Sequence, residues 1–316
     1  MRFLVLTVLV ACSDYNLNSA DKRSEPGERP PKETAEPEDT ADTAPPEDTA
    51  DTAPPEDTSP PVDETVPVAD AGLDQEVGPL DTVWLDGSAS YDPGGNEPLT
   101  YQWKLLSKPS GSTADITWVS TWETPVFFAD LAGDYVFELG VTNTLGASDP
   151  TPDEVTITAK PSDGFYVQVS WNTSDTDIDL HILRTASTQI FDSPDDCCFC
   201  NMNPSWYATG SGDDPSQDWD DIDGYGPETT TIDSPANGSY RVLLHFYGEN
   251  GMTSCDGPCK PTDIAVKVYV AGTEIGSYTG TLTDQGQVWE VATFDWPSQT
   301  LTTTDTTTTT TRTACY

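Results

Sequence analysis

Basic residues are scarce in this chain: 13 Lys and Arg stand against 54 Asp and Glu, a formal charge of −41 over 316 residues. With so few cations to neutralise phosphates, nucleic acid and anionic lipid headgroups are excluded as charge-driven partners, and cations or basic partners are favoured. Histidine is scarcer still, with only His181 and His245. Gly-x-Ser-x-Gly, His-Glu-x-x-His and a phosphate-binding glycine loop are all missing, so no familiar catalytic site is spelled out, and the chain is expected not to be an enzyme. Paired carboxylates of the kind that cleave glycosides abound, but in so acidic a chain their abundance carries little information. No run reaches the ~20 apolar residues of a membrane-spanning helix, and no stretch repeats its apolar residues with a helical period.

What is present begins with a short export signal. Met1-Arg2 is a minimal positive start, Phe3 to Val10 an apolar core, and Leu9-Val10-Ala11-Cys12 closes it. That tetrad resembles the lipobox of bacterial lipoproteins. The resemblance implies a signal peptide over 1–11, lipidation of Cys12, membrane contact through the lipid anchor only, and a place in the bacterial cell envelope, at the outer membrane or cell surface. Ser13 does not oppose outer-membrane export. An ordinary secretory signal containing a cysteine is the alternative, and either route leads to a compartment that permits disulfides.

Residues 12–66 read as a disordered acidic spacer. EDTADTAPP occupies 38–46 and recurs at 47–55, and over 13–66 sixteen acids face four bases, a net −12. Such a segment cannot bury a core and repels itself. Fully extended as polyproline II, it would span ~170 Å.

From 67 to 161 the pattern switches to period two: Val83/Leu85, Tyr101/Trp103, Val126/Phe128, then Tyr135, Phe137, Leu139 and Val141. Turn signals such as Asp86-Gly87 and Asp92-Pro93-Gly94-Gly95-Asn96 separate these runs, as in an antiparallel sandwich. LDGSASYDP, LTYQWKLLSKPSGS, FFADLAGDYVFELGVTNTLGAS and DEVTITA resemble a polycystic-kidney-disease (PKD) or related immunoglobulin-like domain. Tyr101-Gln102-Trp103-Lys104 stands where that family often has Trp-Asp-Phe-Gly-Asp-Gly. Trp103 is expected in the core, and the Tyr135 hydroxyl is placed to tie down a loop as a tyrosine corner.

The second folded region, 162–298, alternates through Phe165 to Trp171, Ile178 to Ile182, Tyr240 to Phe246, Ile264 to Val270 and Val288 to Trp296. The expected fold class is therefore all-β: two antiparallel sandwiches, immunoglobulin-like then jelly-roll-like, after the spacer. VSWNTSDTDIDLHILR, PDDCCFCNMNPSW, the Asp-Gly-Tyr-Gly-Pro-Glu loop and GQVWEVATFDWP resemble an uncharacterised β-domain of bacterial secreted and lipoproteins, recurrent in myxobacterial-type surface proteins. That resemblance implies fold and location, not activity. Residues 299–316 read as a Thr-rich disordered tail.

Two acidic features stand out in this region. Asp175, Asp177, Asp179 and His181 recur at every second position, so in a strand they share one face while Ile178, Leu180 and Ile182 take the other. Asp213 to Glu228 packs seven carboxylates into sixteen residues without a basic residue. Either the strand face is solvated, or the two features meet around a hard cation. Ca²⁺, with its 6–8 oxygen ligands, is the expected ion, held by Asp177, Asp179, Asp221, Asp223 and Glu228. The loop is not an EF-hand, since setting Gly224 as the sixth position puts Trp219 first and Thr230 twelfth. His181 reads as a hydrogen-bonding partner of the carboxylates rather than a ligand.

Cys197, Cys198, Cys200, Cys255 and Cys259 crowd two loops and are expected to form disulfides, with Cys315 pairing with an odd member, remaining free or linking chains. The features together suggest a surface-anchored lipoprotein presenting β-sandwich binding or adhesion domains, Ca²⁺-stabilised, for a glycan or protein ligand. A structural envelope or matrix component, or a polysaccharide-active hydrolase, are the alternatives.

Overall fold

The computed structural model describes residues 66–315 apart from positions 162, 163, 185, 186, 188, 208, 209, 211, 223, 250 and 256. The export signal, Cys12 and nearly all of the spacer lie outside the described residues, as does Asp223. Among the described residues every regular element is a strand.

The first sandwich comprises β1 (Gln75–Val77), β2 (Thr82–Trp84), β3 (Thr100–Ser107), β4 (Val126–Phe128), β5 (Gly133–Thr142) and β6 (Asp153–Ala159). One sheet has the order β1-β6-β5-β3, with β1 parallel to β6, and the other pairs β2 with β4. Alternation along β5 buries Tyr135, Phe137, Leu139 and Val141, against Val83, Leu85 and Phe127 from the facing sheet. Trp103 is fully buried among them and donates its indole N–H to the Trp122 carbonyl at 3.1 Å. The Tyr135 hydroxyl bonds Asp130 Oδ1 and the Leu131 carbonyl, each at 2.8 Å, which is the loop tie expected of it.

The second sandwich stacks two five-stranded sheets. Its strands are β7 (Phe165–Trp171), β8 (Thr176–Arg184), β9 (Asp196–Cys197), β10 (Ser216–Trp219), β11 (Glu228–Ile232), β12 (Gly238–Glu249), β13 (Thr262–Val270), β14 (Thr273–Leu282), β15 (Gln287–Trp296) and β16 (Thr300–Thr309). The orders are β10-β11-β7-β13-β14 and β16-β15-β12-β8-β9, every pair antiparallel. Between them lies a core of Phe165, Val167, Val169, Ile178, Leu180, Ile182, Val242, Leu244 and Phe246.

Two expectations are corrected here. The Thr-rich stretch is not a disordered tail: it forms β16, in register with β15 from Thr300 opposite Asp295 to Thr309 opposite Gln287. Threonine is β-branched and favours extended backbone, and Leu301 packs on the core while Asp305 accepts the Trp289 indole N–H at 3.0 Å. The cysteines also divide differently. Cys200 pairs with Cys315 and Cys255 with Cys259, whereas Cys197 and Cys198 are buried thiols. Adjacent residues of a strand point to opposite faces, so Cys197 enters the main core and Cys198 a smaller one on the outer face of its sheet.

The described part of both sandwiches falls in one unit, Pro60–Tyr316. Between them the Ala132 N–H donates to Gln168 Oε1 at 2.7 Å, Ala132 packs against Tyr166 and Tyr269 of the second sandwich, and Phe128 meets Trp219 at 5.6 Å.

Cys200–Cys315 closes 115 residues of chain and Cys255–Cys259 only four. A long closed loop loses more unfolded-state entropy. Cys315→Ser should therefore lower the unfolding free energy by roughly 2–4 kcal/mol in denaturant titrations, and Cys259→Ser by distinctly less.

Candidate metal centre

Strand alternation sends Ile178, Leu180 and Ile182 into the core and Asp177, Asp179 and His181 to the other face, as the spacing requires. That face is not solvated. Asp177 is 3% exposed, Asp179 2% and His181 fully buried. The acidic segment between β10 and β11 closes the edge of β8. Glu228, the first residue of β11 in the facing sheet, accepts the Leu180 N–H at 2.5 Å and the Gln217 amide at 3.3 Å through one carboxylate oxygen.

Two glycines bring the segment this close. Gly224 has φ of +112°, and a Cβ there would sit 2.2 Å from the Ser174 carbonyl carbon, so only glycine lets the loop lie on the backbone that leads into β8. Gly226, at φ +76°, rests against the Trp171 ring. Between them Tyr225 donates its N–H to the Thr173 carbonyl at 2.8 Å and accepts the Trp171 N–H at 3.0 Å. The loop is thus fastened as an extra backbone rung beside the row of carboxylates.

One oxygen each from Asp177, Asp179 and Glu228 lies within 4.8 Å of the others, which brings together three of the five residues expected to ligate a cation. Asp221 plays a different part: its Oδ1 accepts the Gly224 N–H at 2.9 Å and shapes the turn, although its charge is still felt by Asp177. Asp220, which sequence reasoning passed over, acts on more of the centre, with its charge felt by Asp177, Asp179 and Glu228. In a run of two adjacent aspartates, only the loop's path shows which one turns inward. Asp175 is drawn off by an ion pair with Lys260.

The electrostatics are those of uncompensated buried acids. Burial first, and then Asp179, Asp220 and Asp221, push the Asp177 carboxyl up to about 8. Asp179 rises to about 8 as well, through burial and the fields of Asp220 and Asp196 against the opposing pull of His181. Glu228 is raised by burial, Asp179 and Asp220. Asp177 Oδ1, Asp220 Oδ1 and Glu228 Oε1 are buried without a hydrogen-bond partner. Carboxylates this close cannot all ionise without a proton or a cation among them. Oxygen-only donors in this number suit a hard divalent ion, with waters or carbonyls completing the shell. His181 pairs with Asp196 at 2.7 Å rather than with the carboxylates of its own row, and His245 pairs with Asp179 at 2.8 Å.

A family model described as "K319L-like, PKD domain" matches residues 71–159. Residues 71–159 are a PKD domain. A solution structure of the PKD domain from KIAA 1837 protein is 28% identical over 30% of this chain and 88% of its own, with a TM-score of 0.25. The D00-D0 domain of intimin is 10% identical over 69% of this chain and 98% of its own, with a TM-score of 0.23. A nucleoside hydrolase-related hypothetical protein from Saccharophagus degradans is 22% identical over 30% of this chain and 25% of its own, at 0.25. Overlaps this shallow transfer no ligand or activity. The PKD domain contributes nothing to the carboxylate centre, whose residues all belong to the second sandwich.

A carboxyl with a raised folded pKa keeps its proton in the folded state where the unfolded chain has lost it, so its contribution to stability falls as pH rises. In chelator, the melting temperature should therefore fall as pH rises from about 4 to about 8, the window set by the ordinary aspartate value of 3.8 and the folded values of Asp177 and Asp179. Asp177→Asn with Asp179→Asn should flatten that fall, and a chelated wild-type protein that melts independently of pH would contradict it.

Proposed function

We propose that this chain is a non-enzymatic surface protein, anchored through Cys12, whose second sandwich is stabilised by Ca²⁺ and presents a binding surface for glycan or protein. The observation that supports it most directly is the set of Asp177, Asp179 and Glu228, buried and converging, with half-buried Asp220 acting on all three and three oxygens of the four left unpartnered. The PKD domain agrees with an extracellular or surface setting, in which millimolar Ca²⁺ is available to sites of modest affinity.

A binding role is favoured over a purely structural one by a groove of about 730 Å³ between the two sandwiches. Tyr225, 43% exposed, lines it with Asn172, Asp263 and Thr281 on one side and Ser110 and Thr113 of the PKD domain on the other. An aromatic platform among hydroxyl, amide and carboxylate groups suits a sugar ring or a polar peptide. Tyr225 belongs to the loop that supplies Asp220 and Glu228, so ion binding would hold the groove's aromatic in place.

At a hundredfold excess over its Kd, Ca²⁺ should stabilise the full chain by about 2.7 kcal/mol, roughly 5–10 °C in melting temperature. Asp177→Asn with Asp179→Asn should abolish the shift. A wild-type midpoint indifferent to both Ca²⁺ and chelator would remove the ion from the proposal. On a glycan array, Tyr225→Ala should lose binding at unchanged melting temperature, and retention by that variant would move the ligand elsewhere. Fractionation of producing cells should find the chain with membranes and Cys12→Ser in the soluble fraction.

A further inference from the structure

Beside the carboxylate centre, on the outer face of the same sheet, lies a second island of buried polar groups. In the strand register His245 stands opposite Asp179, Leu243 opposite His181, and Asp196 opposite Leu183, so three strands place Asp196, Asp179, His181 and His245 on one lattice. His181 Nδ1 meets Asp196 Oδ2 at 2.7 Å, and His245 Nδ1 meets Asp179 Oδ2 at 2.8 Å. Phe191 stands edge-on to both imidazoles, at 4.8 and 5.4 Å, and the surrounding Leu183, Ile190 and Leu243 keep the island dry.

A carboxylate facing Nδ1 fixes the proton there and leaves Nε2 as a bare lone pair, which is how proteins orient histidines toward a metal. In this island His181 Nε2 and His245 Nε2 are both buried and both without a partner. One donor atom each from Asp179, His181 and His245 lies within 4.8 Å of the others; an ion there would replace the proton between Asp179 Oδ2 and His245 Nδ1 and take His181 through its unpartnered Nε2. Two orphaned nitrogens on carboxylate-held rings are not explained by the oxygen centre, which has no use for imidazole. A cavity of about 300 Å³, lined by His245, Gln285, Gly286 and residues 310–313, offers a route inward.

We propose that His181, His245 and Asp179 form a second cation site, for a divalent transition ion of the Zn²⁺ type, adjoining the hard-cation centre. Imidazole nitrogen suits zinc and its neighbours, whereas Ca²⁺ takes oxygen. The row along β8 is thereby graded, from Asp177 among carboxylates to His181 among imidazoles. Asp179 stands between, with two oxygens and about four lone-pair sites to serve both.

The site is tested on the untagged full chain held in excess Ca²⁺, with Co²⁺ or Zn²⁺ as the probe. The expected result is one tightly held Co²⁺ per chain, with a visible spectrum and an X-ray absorption shell that contain imidazole. Asp196→Asn, which keeps the amide oxygen for the Phe191 N–H but removes the charge that orients His181, should weaken Co²⁺ binding by about 10–100-fold. His181→Gln with His245→Gln should abolish it. Asp220→Asn should blunt the Ca²⁺ response while leaving Co²⁺ uptake intact, which separates this site from the calcium reading. No uptake by folded wild-type protein, or uptake retained in the folded double variant, overturns the proposal. Should the double variant fail to fold, an all-oxygen shell around Co²⁺ in the wild type overturns it just as well.

Discussion

The second sandwich is organised around carboxylates that meet where water does not reach. Asp177, Asp179 and Glu228 converge from two facing sheets, with Asp220 of the loop beside them, and none of the charges acting on those three carboxyls is a lysine or arginine. Burying even one unpaired charge costs several kcal/mol. The arrangement is therefore tolerable in only two conditions, with protons shared among the acids or with a cation between them. The loop is glycine-pinned to the start of β8, so it cannot swing its acids into solvent without giving up the Tyr225 rungs to Thr173 and Trp171.

This constraint reaches the surface through few residues. Tyr225 lies three positions from Glu228 and lines the groove between the sandwiches. If an ion occupies the centre as proposed, losing it near neutral pH would restore repulsion among the acids, and the element that yields first would be the one fastened by two backbone bonds rather than a full strand. Ion occupancy and groove shape would then be one equilibrium, and a ligand that preferred the ordered groove would raise the affinity for the ion by the same factor.

How much of this could be read from residues depends on what each inference required. The Asp-x-Asp-x-His spacing is a statement about one face of a strand, and period two is enough to make it; three expected ligands do come together. Burial of that face could not be read, because the cover comes from a loop some forty residues on, and an exposed acidic face would show the same spacing. The choice of Asp220 over Asp221 turns on which way a loop backbone faces, which no composition records. The threonine run misled because low complexity usually accompanies missing apolar contacts. Here, Leu301 and the Trp289–Asp305 bond supply enough contacts to seat an edge strand whose residues already prefer extended backbone. The cysteines crowded into two loops suggested disulfides, with Cys315 left open, but alternation at Cys197 and Cys198 sends one thiol into each of two cores.

The PKD domain and the second sandwich meet through the Gln168–Ala132 hydrogen bond, the packing of Ala132 on Tyr166 and Tyr269, and the Phe128–Trp219 ring contact. Gln168 Oε1 accepts the Ala132 N–H from the middle of β7, the strand whose C-terminal end carries Trp171 and so receives the acidic loop. The strand that orients the PKD domain is thus also the strand on which the carboxylate loop is hung. A disturbance at the centre therefore has a short path, through the Tyr225 rungs and along β7, to the groove wall and to the contact with the PKD domain.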